Sequence, residues 1–429
     1  MTHRPTRNAV VAVAAAASLL LAGCASTNTN TDTASAAAGA ASAPGSTAGS
    51  DAASSGPGVD GSASGAAATT GGVHTVTIKI TDAGGCAVSP ATVPAGPVTF
   101  KISNVDATAV NEVHLMAGER IRGERENLAP GFGASFSATL DGGAYQIYCP
   151  GAKTENQSFT VTGKAAAGSN DITGLLQQAT SDYSDYVSTQ TGFLVPAIAD
   201  LKSAIDSGDL AKAQLAYAKA RPFYERIEPV AESFGDLDPN IDARAGDVPA
   251  TKWIGMHPIE KALFVDKSVA KAKPFVAGLV ANVAKLKALT SALSTDTAAR
   301  NGKGYKPDEV ANGSASLLEE VQQSKIKGEE ERYSHIDLVD FAANVEGSQQ
   351  GFVALIPVLN KIDPSIAPPI DKAFKTLVAL LDAQKDPKAL GGYTRYNDVS
   401  KADIKKLSDA LLAVQEPLSQ VSAKVAAAG

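Results

Sequence analysis

Ser158-Phe159-Thr160-Val161-Thr162-Gly163-Lys164-Ala165-Ala166-Ala167-Gly168-Ser169 is where the chain changes its period. Before this joint, apolar and polar residues alternate in short runs. Examples are His74-Thr75-Val76-Thr77-Ile78-Lys79-Ile80, Val98-Thr99-Phe100-Lys101-Ile102, Ser135-Phe136-Ser137-Ala138-Thr139-Leu140 and Ala144-Tyr145-Gln146-Ile147-Tyr148. Turn formers such as Pro94-Ala95-Gly96-Pro97 and Asp141-Gly142-Gly143 separate them. Alternation sends successive side chains to opposite faces, so residues 73–163 are expected to form a small antiparallel all-β sandwich or barrel. After the joint, apolar residues recur at three and four, as in Leu201, Ala204, Ile205 and in Phe374, Leu377, Val378, Leu381. Ala, Leu, Lys and Glu dominate there, as good helix formers should. Residues 170–429 are therefore expected to be an all-α bundle of antiparallel helices.

Ahead of these two domains the chain begins as an export segment. His3, Arg4 and Arg7 are followed by an apolar run from Ala9 to Leu21, which ends in Leu21-Ala22-Gly23-Cys24. Residues 1–24 thus have the layout of a signal peptide and are too short to remain as a spanning helix. The closing tetrapeptide resembles a bacterial lipobox, where the thiol is acylated and becomes the new N-terminus. The plainer alternative is an ordinary secretory peptide with an incidental cysteine. On the lipobox reading Cys24 is the lipid attachment, and the protein is extracytoplasmic, anchored to the cell membrane on the periplasmic side or at the cell surface. A multiply acylated cysteine anchors more firmly than a single chain. Residues 25–72 are almost entirely Ala, Ser, Thr, Gly and Asn, without an aromatic residue. Such a stretch cannot offset the entropy of ordering it and is expected to be a disordered spacer.

The net charge of −7 and pI near 5.4 argue against a nucleic-acid partner, which requires a basic face. No apolar run beyond the leader reads as long and uninterrupted enough to cross a membrane. The chain has three cysteines. With Cys24 in the leader, Cys86 and Cys149 are the thiols of the folded part. In an oxidising compartment two lone thiols in one small domain commonly form a disulfide.

In the helical half the densest chemical signal runs from Phe223 to Glu260. Glu225, Glu228 and Glu232 are spaced as one helical stripe, and an acidic loop follows through Asp236, Asp238 and Asp242. Then comes Trp253-Ile254-Gly255-Met256-His257-Pro258-Ile259-Glu260. His257 and Glu260 are three apart and would share a helix face. An imidazole beside several carboxylates makes a mixed nitrogen and oxygen site suited to a divalent or ferric ion. The bland alternative is a helix start, with Pro258 in the first turn and Glu260 satisfying backbone donors. Pro258 directly after the histidine also places His257 at a helix start or a kink rather than mid-helix. Further on, Ser334 and Asp337 in Arg332-Tyr333-Ser334-His335-Ile336-Asp337 have capping-box spacing. His335 and Asp337 are lower-ranked metal candidates.

Several of these segments together resemble one family. Tyr224–Pro239, Gly255-Met256-His257-Pro258-Ile259-Glu260-Lys261 and Arg332-Tyr333-Ser334-His335-Ile336-Asp337-Leu338 look like the imelysin-like domain of the EfeO family. Gly123-Glu124-Arg125-Glu126-Asn127-Leu128-Ala129-Pro130-Gly131 is similar to the signature of that family's cupredoxin domain. Tyr145-Gln146-Ile147-Tyr148-Cys149-Pro150-Gly151 also ends a strand in cupredoxin fashion. The resemblance runs from about Val73 to the end. It implies a cupredoxin-like sandwich followed by an imelysin-like helical metal-binding domain. It also implies a lipoprotein component of an EfeUOB-type iron uptake system, with a membrane iron permease and a haem peroxidase as partners. The metal ligands it implies in the helical domain are His257 and Glu260, assisted by Glu225 and Asp242. The cargo would be ferrous or ferric iron, with zinc as a surrogate ion.

In the sheet domain the resemblance implies Cys86, Cys149, Glu112 and Glu124 as copper or iron ligands, an alternative to the disulfide. His114 alternates with Glu112 and would share its face, and Glu126 lies nearby; two polar residues on a solvated face is the bland reading. A blue-copper centre needs two histidines, a cysteine and usually a methionine. After Cys149 neither His nor Met occurs until well into the helical half, so blue-copper chemistry is not expected. The leading expectation is a non-enzymatic iron-binding protein that captures iron and passes it to a permease. The alternatives are an imelysin-like metallopeptidase and an anionic-polysaccharide or adhesion module. No His-Glu-x-x-His occurs. Metal-dependent hydrolysis usually needs more than one histidine, and the acidic balance disfavours polyanions.

Overall fold

The structure is a computed structural model, and it describes residues 69–70, 73–110, 112–118, 120–125, 128–131, 133–164, 170–295 and 303–429. Cys24, the leader, Glu126 and nearly all of the stretch read as a spacer lie outside the described residues.

Among the described residues the alternating runs become ten strands, β1 (Thr69–Thr70), β2 (Val73–Thr81), β3 (Gly85–Ser89), β4 (Thr92–Pro94), β5 (Gly96–Asn104), β6 (Val113–Ala117), β7 (Arg120–Arg125), β8 (Gly133–Leu140), β9 (Gly143–Tyr148) and β10 (Asn156–Thr162). One sheet has the order β1-β2-β5-β8, with β3 paired to the Thr77–Thr81 part of β2 on the edge opposite β5; the second is β4-β10-β9-β6-β7. β1 pairs with Val73 and His74, so the first sheet begins within the residues assigned to the spacer. The sandwich is not purely antiparallel: β2 and β5 pair in parallel, as do β4 and β10. Period-two patterning sets which face is buried and leaves strand direction open. Val76, Ile78 and Ile80 of β2 point inward with Val98, Phe100 and Ile102 of β5. Phe100 stacks on Phe136 at 4.9 Å and meets Phe159 edge-on at 5.4 Å.

The second half is helical, with α1 (Asn170–Ser207), α2 (Leu210–Glu225), α3 (Leu237–Asp242), α4 (Met256–Phe264), α5 (Val269–Leu293), α6 (Pro307–Gln323), α7 (Asp337–Ile362), α8 (Ala367–Asp382), α9 (Lys401–Leu418) and α10 (Val421–Ala428). Asp209 caps α2 by accepting the Lys212 N–H at 3.0 Å. By length and composition α5 could cross a membrane, contrary to the sequence reading. Ala272, Val276, Leu279, Val283 and Leu286 nevertheless form a stripe that packs into the bundle core with α1 and α4.

Charged and polar side chains join the sheets to the bundle. Arg122 meets Asp308 at 3.5 Å and Glu309 at 3.1 Å. Arg125 donates to Ser316 Oγ at 2.5 Å, and Asn312 donates to the Ser137 carbonyl at 2.6 Å. The Thr139 hydroxyl donates to the Ala426 carbonyl at 3.0 Å. Arg125, in the segment 123–131 singled out in the sequence, therefore serves this junction.

Candidate metal centre

The acidic stripe does not continue as an α-helix. α2 stops at Glu225, and residues Glu228–Phe234 follow as tighter 3₁₀ turns, with Val230 outside helical geometry. Pro229 explains the break, because it lacks an N–H and restricts Glu228 before it. Glu225 consequently turns into the bundle and is fully buried, while Glu228 and Glu232 line a cleft. α3 ends on Asp242. Gly255, at φ 95°, starts α4 beside it, and a Cβ there would collide with the Ile241 carbonyl. That close approach brings His257 to Asp242. Pro258 falls in the first turn of α4, where backbone N–H groups need no helical partner, so it leaves His257 and Glu260 on one face.

Glu260 orients the histidine. Its Oε2 accepts from His257 Nδ1 at 3.2 Å, and its Oε1 accepts the backbone N–H groups of Tyr333 (2.8 Å) and Ser334 (2.7 Å). This fixes the imidazole with Nε2 pointing the other way, toward Asp242 Oδ1 at 3.6 Å and Glu330 Oε1 at 3.4 Å. Nε2 is buried and makes no well-formed hydrogen bond. Asp242, His257 and Glu330 each offer a ligand atom within 4.8 Å of the others. A histidine held through Nδ1 by a carboxylate, with Nε2 facing hard oxygens, is the arrangement in which imidazole binds metal.

The neighbouring carboxylates are matched by cations of the chain. Arg221, fully buried one turn before Glu225, contacts Glu225, Asp242, Glu330, Glu331 and Asp340. The Lys325 ammonium lies 2.6 Å from Glu228 and 3.3 Å from Glu225. Asn344 donates to both of these glutamates. Burial pushes Glu228, Glu331 and Asp340 well above the ordinary carboxylate range. Asp242 is pushed up to about 7 by burial, against the downward pull of Arg221. Glu330 is equally buried, but Lys325, His257 and Arg244 hold it well below the usual range. Burial works against charge on His257, yet its contacts with Glu260, Glu330 and Asp242 raise it to about 10. A cation arriving at Nε2 must therefore displace a proton.

A cleft of about 470 Å³ leads to this centre from between the sheets and the bundle. Glu112 and Glu124 line it on the sheet side, and Glu228, Asp238, Asp242 and Glu330 on the helical side. His114 Nε2 lies 3.3 Å from Glu112 and 3.7 Å from Glu124, with Tyr148 edge-on to its ring at 5.7 Å. Glu112 and His114 thus share a face as their spacing suggested, and Glu124 joins them from β7. Cys86 and Cys149 are joined in a disulfide, so their sulfurs are not available as thiolate ligands; the disulfide reading holds and the ligand reading does not.

The structure places Asp242 and His257 face to face, with Glu260 behind the ring and Glu225 bound to Arg221, Lys325 and Asn344. Among the described residues, neither His335 nor Asp337 belongs to the clusters of histidine and carboxylate groups that could hold an ion. His335 occupies the left-handed region at φ 59°. Asp337 Oδ1 accepts the Glu331 N–H at 3.1 Å. Ser334 forms no capping box, because its hydroxyl is bonded to the Glu331 carboxylate instead. Sequence reasoning missed Glu330, Glu331, Asp340, Arg221 and Lys325. The run Glu329-Glu330-Glu331, immediately before the quoted Arg332–Leu338 segment, was the available signal.

The imelysin family model matches residues 179–421. The chain is also 36% identical over 355 residues to a protein of Escherichia coli called iron uptake system component EfeO, covering 81% of this chain and 91% of that protein. The Shigella flexneri protein of the same name matches to the same extent. The chain belongs to the imelysin family and is an EfeO-type protein with an imelysin-like C-terminal domain. A crystal structure of an imelysin-like protein from Psychrobacter arcticum aligns over 59% of this chain and 94% of its own, at 14% identity and a TM-score of 0.40.

Proposed function

We propose that this chain is a non-enzymatic, extracytoplasmic iron-binding component of an iron uptake system, which captures iron and passes it to a membrane permease. The observation that carries this reading is His257 Nε2, oriented by Glu260 and facing Asp242 and Glu330 at the inner end of an acidic cleft. Hard oxygens with one imidazole suit ferrous or ferric iron, and zinc as a surrogate, better than cuprous copper. The relatives named as iron uptake components support the same cargo. In this reading the sandwich is a cupredoxin-like domain whose Glu112, His114 and Glu124 meet cations at the cleft mouth. Cys24 carries the lipid anchor, and a haem peroxidase of the same system is a further partner. A peptidase reading gains no support from the geometry, since one imidazole faces the centre and the surrounding carboxylates are bound to Arg221 and Lys325.

Iron uptake in cells lacking the chain tests this reading. Wild-type protein restores it, and His257→Ala expressed at the same level does not. Full restoration by that variant would overturn the proposal.

A further inference from the structure

Arg221 is the group that the proposed capture of iron leaves unexplained. Its Nη1 donates to Asp242 Oδ1, and its Nη2 reaches Glu225 Oε1, Asp340 Oδ2 (2.9 Å) and Glu330 Oε1 (3.4 Å). Its Nε lies 3.0 Å from both Asp340 Oδ2 and Glu331 Oε1. Two of these oxygens, Asp242 Oδ1 and Glu330 Oε1, are the ones that face His257 Nε2. The guanidinium and an ion at Nε2 would therefore share a pair of carboxylate oxygens. Glu225, Glu330 and Asp340 also offer oxygens within 4.8 Å of one another, close enough to hold an ion themselves, and Arg221 Nη2 contacts all three. The layout is that of a carboxylate-bridged pair of cation positions, one of which the chain fills with its own side chain.

We propose that Arg221 determines the metal stoichiometry of this centre: it occupies the second cation position, so the centre takes one ion where its carboxylates alone would take two. A guanidinium suits that role because it stays charged at all working pH values and its planar fork bonds several carboxylates at fixed angles. Neither a chelator nor acid removes it, so Asp242 and Glu330 stay aimed at Nε2 in the metal-free protein. It also leaves less negative charge for the incoming ion, which favours reversible holding over permanent incorporation. This inference rests on the proposed metal site at His257.

Manganese(II) binding by the full chain, followed by equilibrium counting and electron paramagnetic resonance, tests it. Comparing Arg221→Gln with wild type cancels ions held elsewhere. The expected result is one more ion per chain in the variant, with the spectrum of a spin-coupled pair where wild type shows an isolated ion. A folded Arg221→Gln protein with the wild-type count and an isolated-ion spectrum would overturn the role of Arg221. Should Arg221→Gln not fold, wild type itself decides: with Arg221 in the second position the isolated-ion spectrum should persist at saturating manganese, and a spin-coupled pair in wild type would overturn the assignment. His257→Ala, measured alongside, separates the two ideas: a count equal to wild type there would count against the metal site itself.

Discussion

Glu260 receives the ring N–H of His257 on one carboxylate oxygen and the backbone N–H groups of Tyr333 and Ser334 on the other. One side chain thus ties α4 to the segment that carries Glu330 and aims the imidazole at it. Glu260→Ala leaves two backbone donors and a ring nitrogen without their acceptor. Each buried donor left unpaired costs about 1–3 kcal/mol, so the melting temperature should fall. Loss of such an orienting partner typically weakens metal binding by about 10–100-fold. Thermal melts and metal titration of the variant check both; unchanged values would contradict the role given to Glu260.

Arg122 should hold the sheets to the bundle. It is buried between Asp308 and Glu309, and Arg122→Ala removes the guanidinium that both carboxylates face. Breaking a buried pair in this way costs about 3–5 kcal/mol. Calorimetry should show the wild-type transition splitting or broadening as the two halves uncouple. An unshifted single transition would argue against this contact.

The sheet-domain cysteines should give no free thiol before reduction, because Cys86 and Cys149 are bonded to each other across 63 residues. Reduction should cost about 2–5 kcal/mol of stability, as for native disulfides in extracellular domains. Added copper should produce no intense blue absorption. A thiol titre of two per chain would refute the pairing.

Asp337 gives a pH dependence with a defined sign. Burial raises its carboxyl from 3.8 to about 7. A folded value above the unfolded one means that its stabilising contribution is complete below about 4 and is lost as pH rises toward 7. Asp337→Asn keeps the oxygen that accepts the Glu331 N–H but cannot ionise. The difference in stability between variant and wild type should therefore shift in favour of the variant between pH 4 and 7. Chemical denaturation across that range measures it, and a flat difference would contradict the assignment.

What could be read from sequence was what local spacing encodes. The change of period at Ser158–Ser169 separates the two folds because strand and helix periodicities are visible within a few residues. His257 and Glu260 were legible as neighbours because three residues make nearly one helical turn. The partners that complete the centre come from far away: Glu330 lies on the segment after α6, and Arg221 lies within α2, where an arginine reads simply as a helix former. Long-range ion pairs leave no periodic trace. Asp242 was reached through family resemblance, since an aspartate in an acidic loop carries no local mark of burial. The same limit governs the cysteines, where the choice between bridge and ligand depends on a tertiary approach of their Cα atoms to 6.4 Å. Spacing even misled at Ser334, whose hydroxyl bonds the Glu331 carboxylate instead of capping α7.

Calorimetric titration of the full chain with iron tests the central claim most directly, with His257→Ala and Glu330→Gln as the comparisons. Both variants remove a group that faces the proposed ion and should retain wild-type helical content by circular dichroism. The account predicts tight binding by wild type, loss of that binding phase in each variant, and proton release from wild type as the ion displaces hydrogen from Nε2. Wild-type affinity in both folded variants would contradict it and place the ion elsewhere in the molecule.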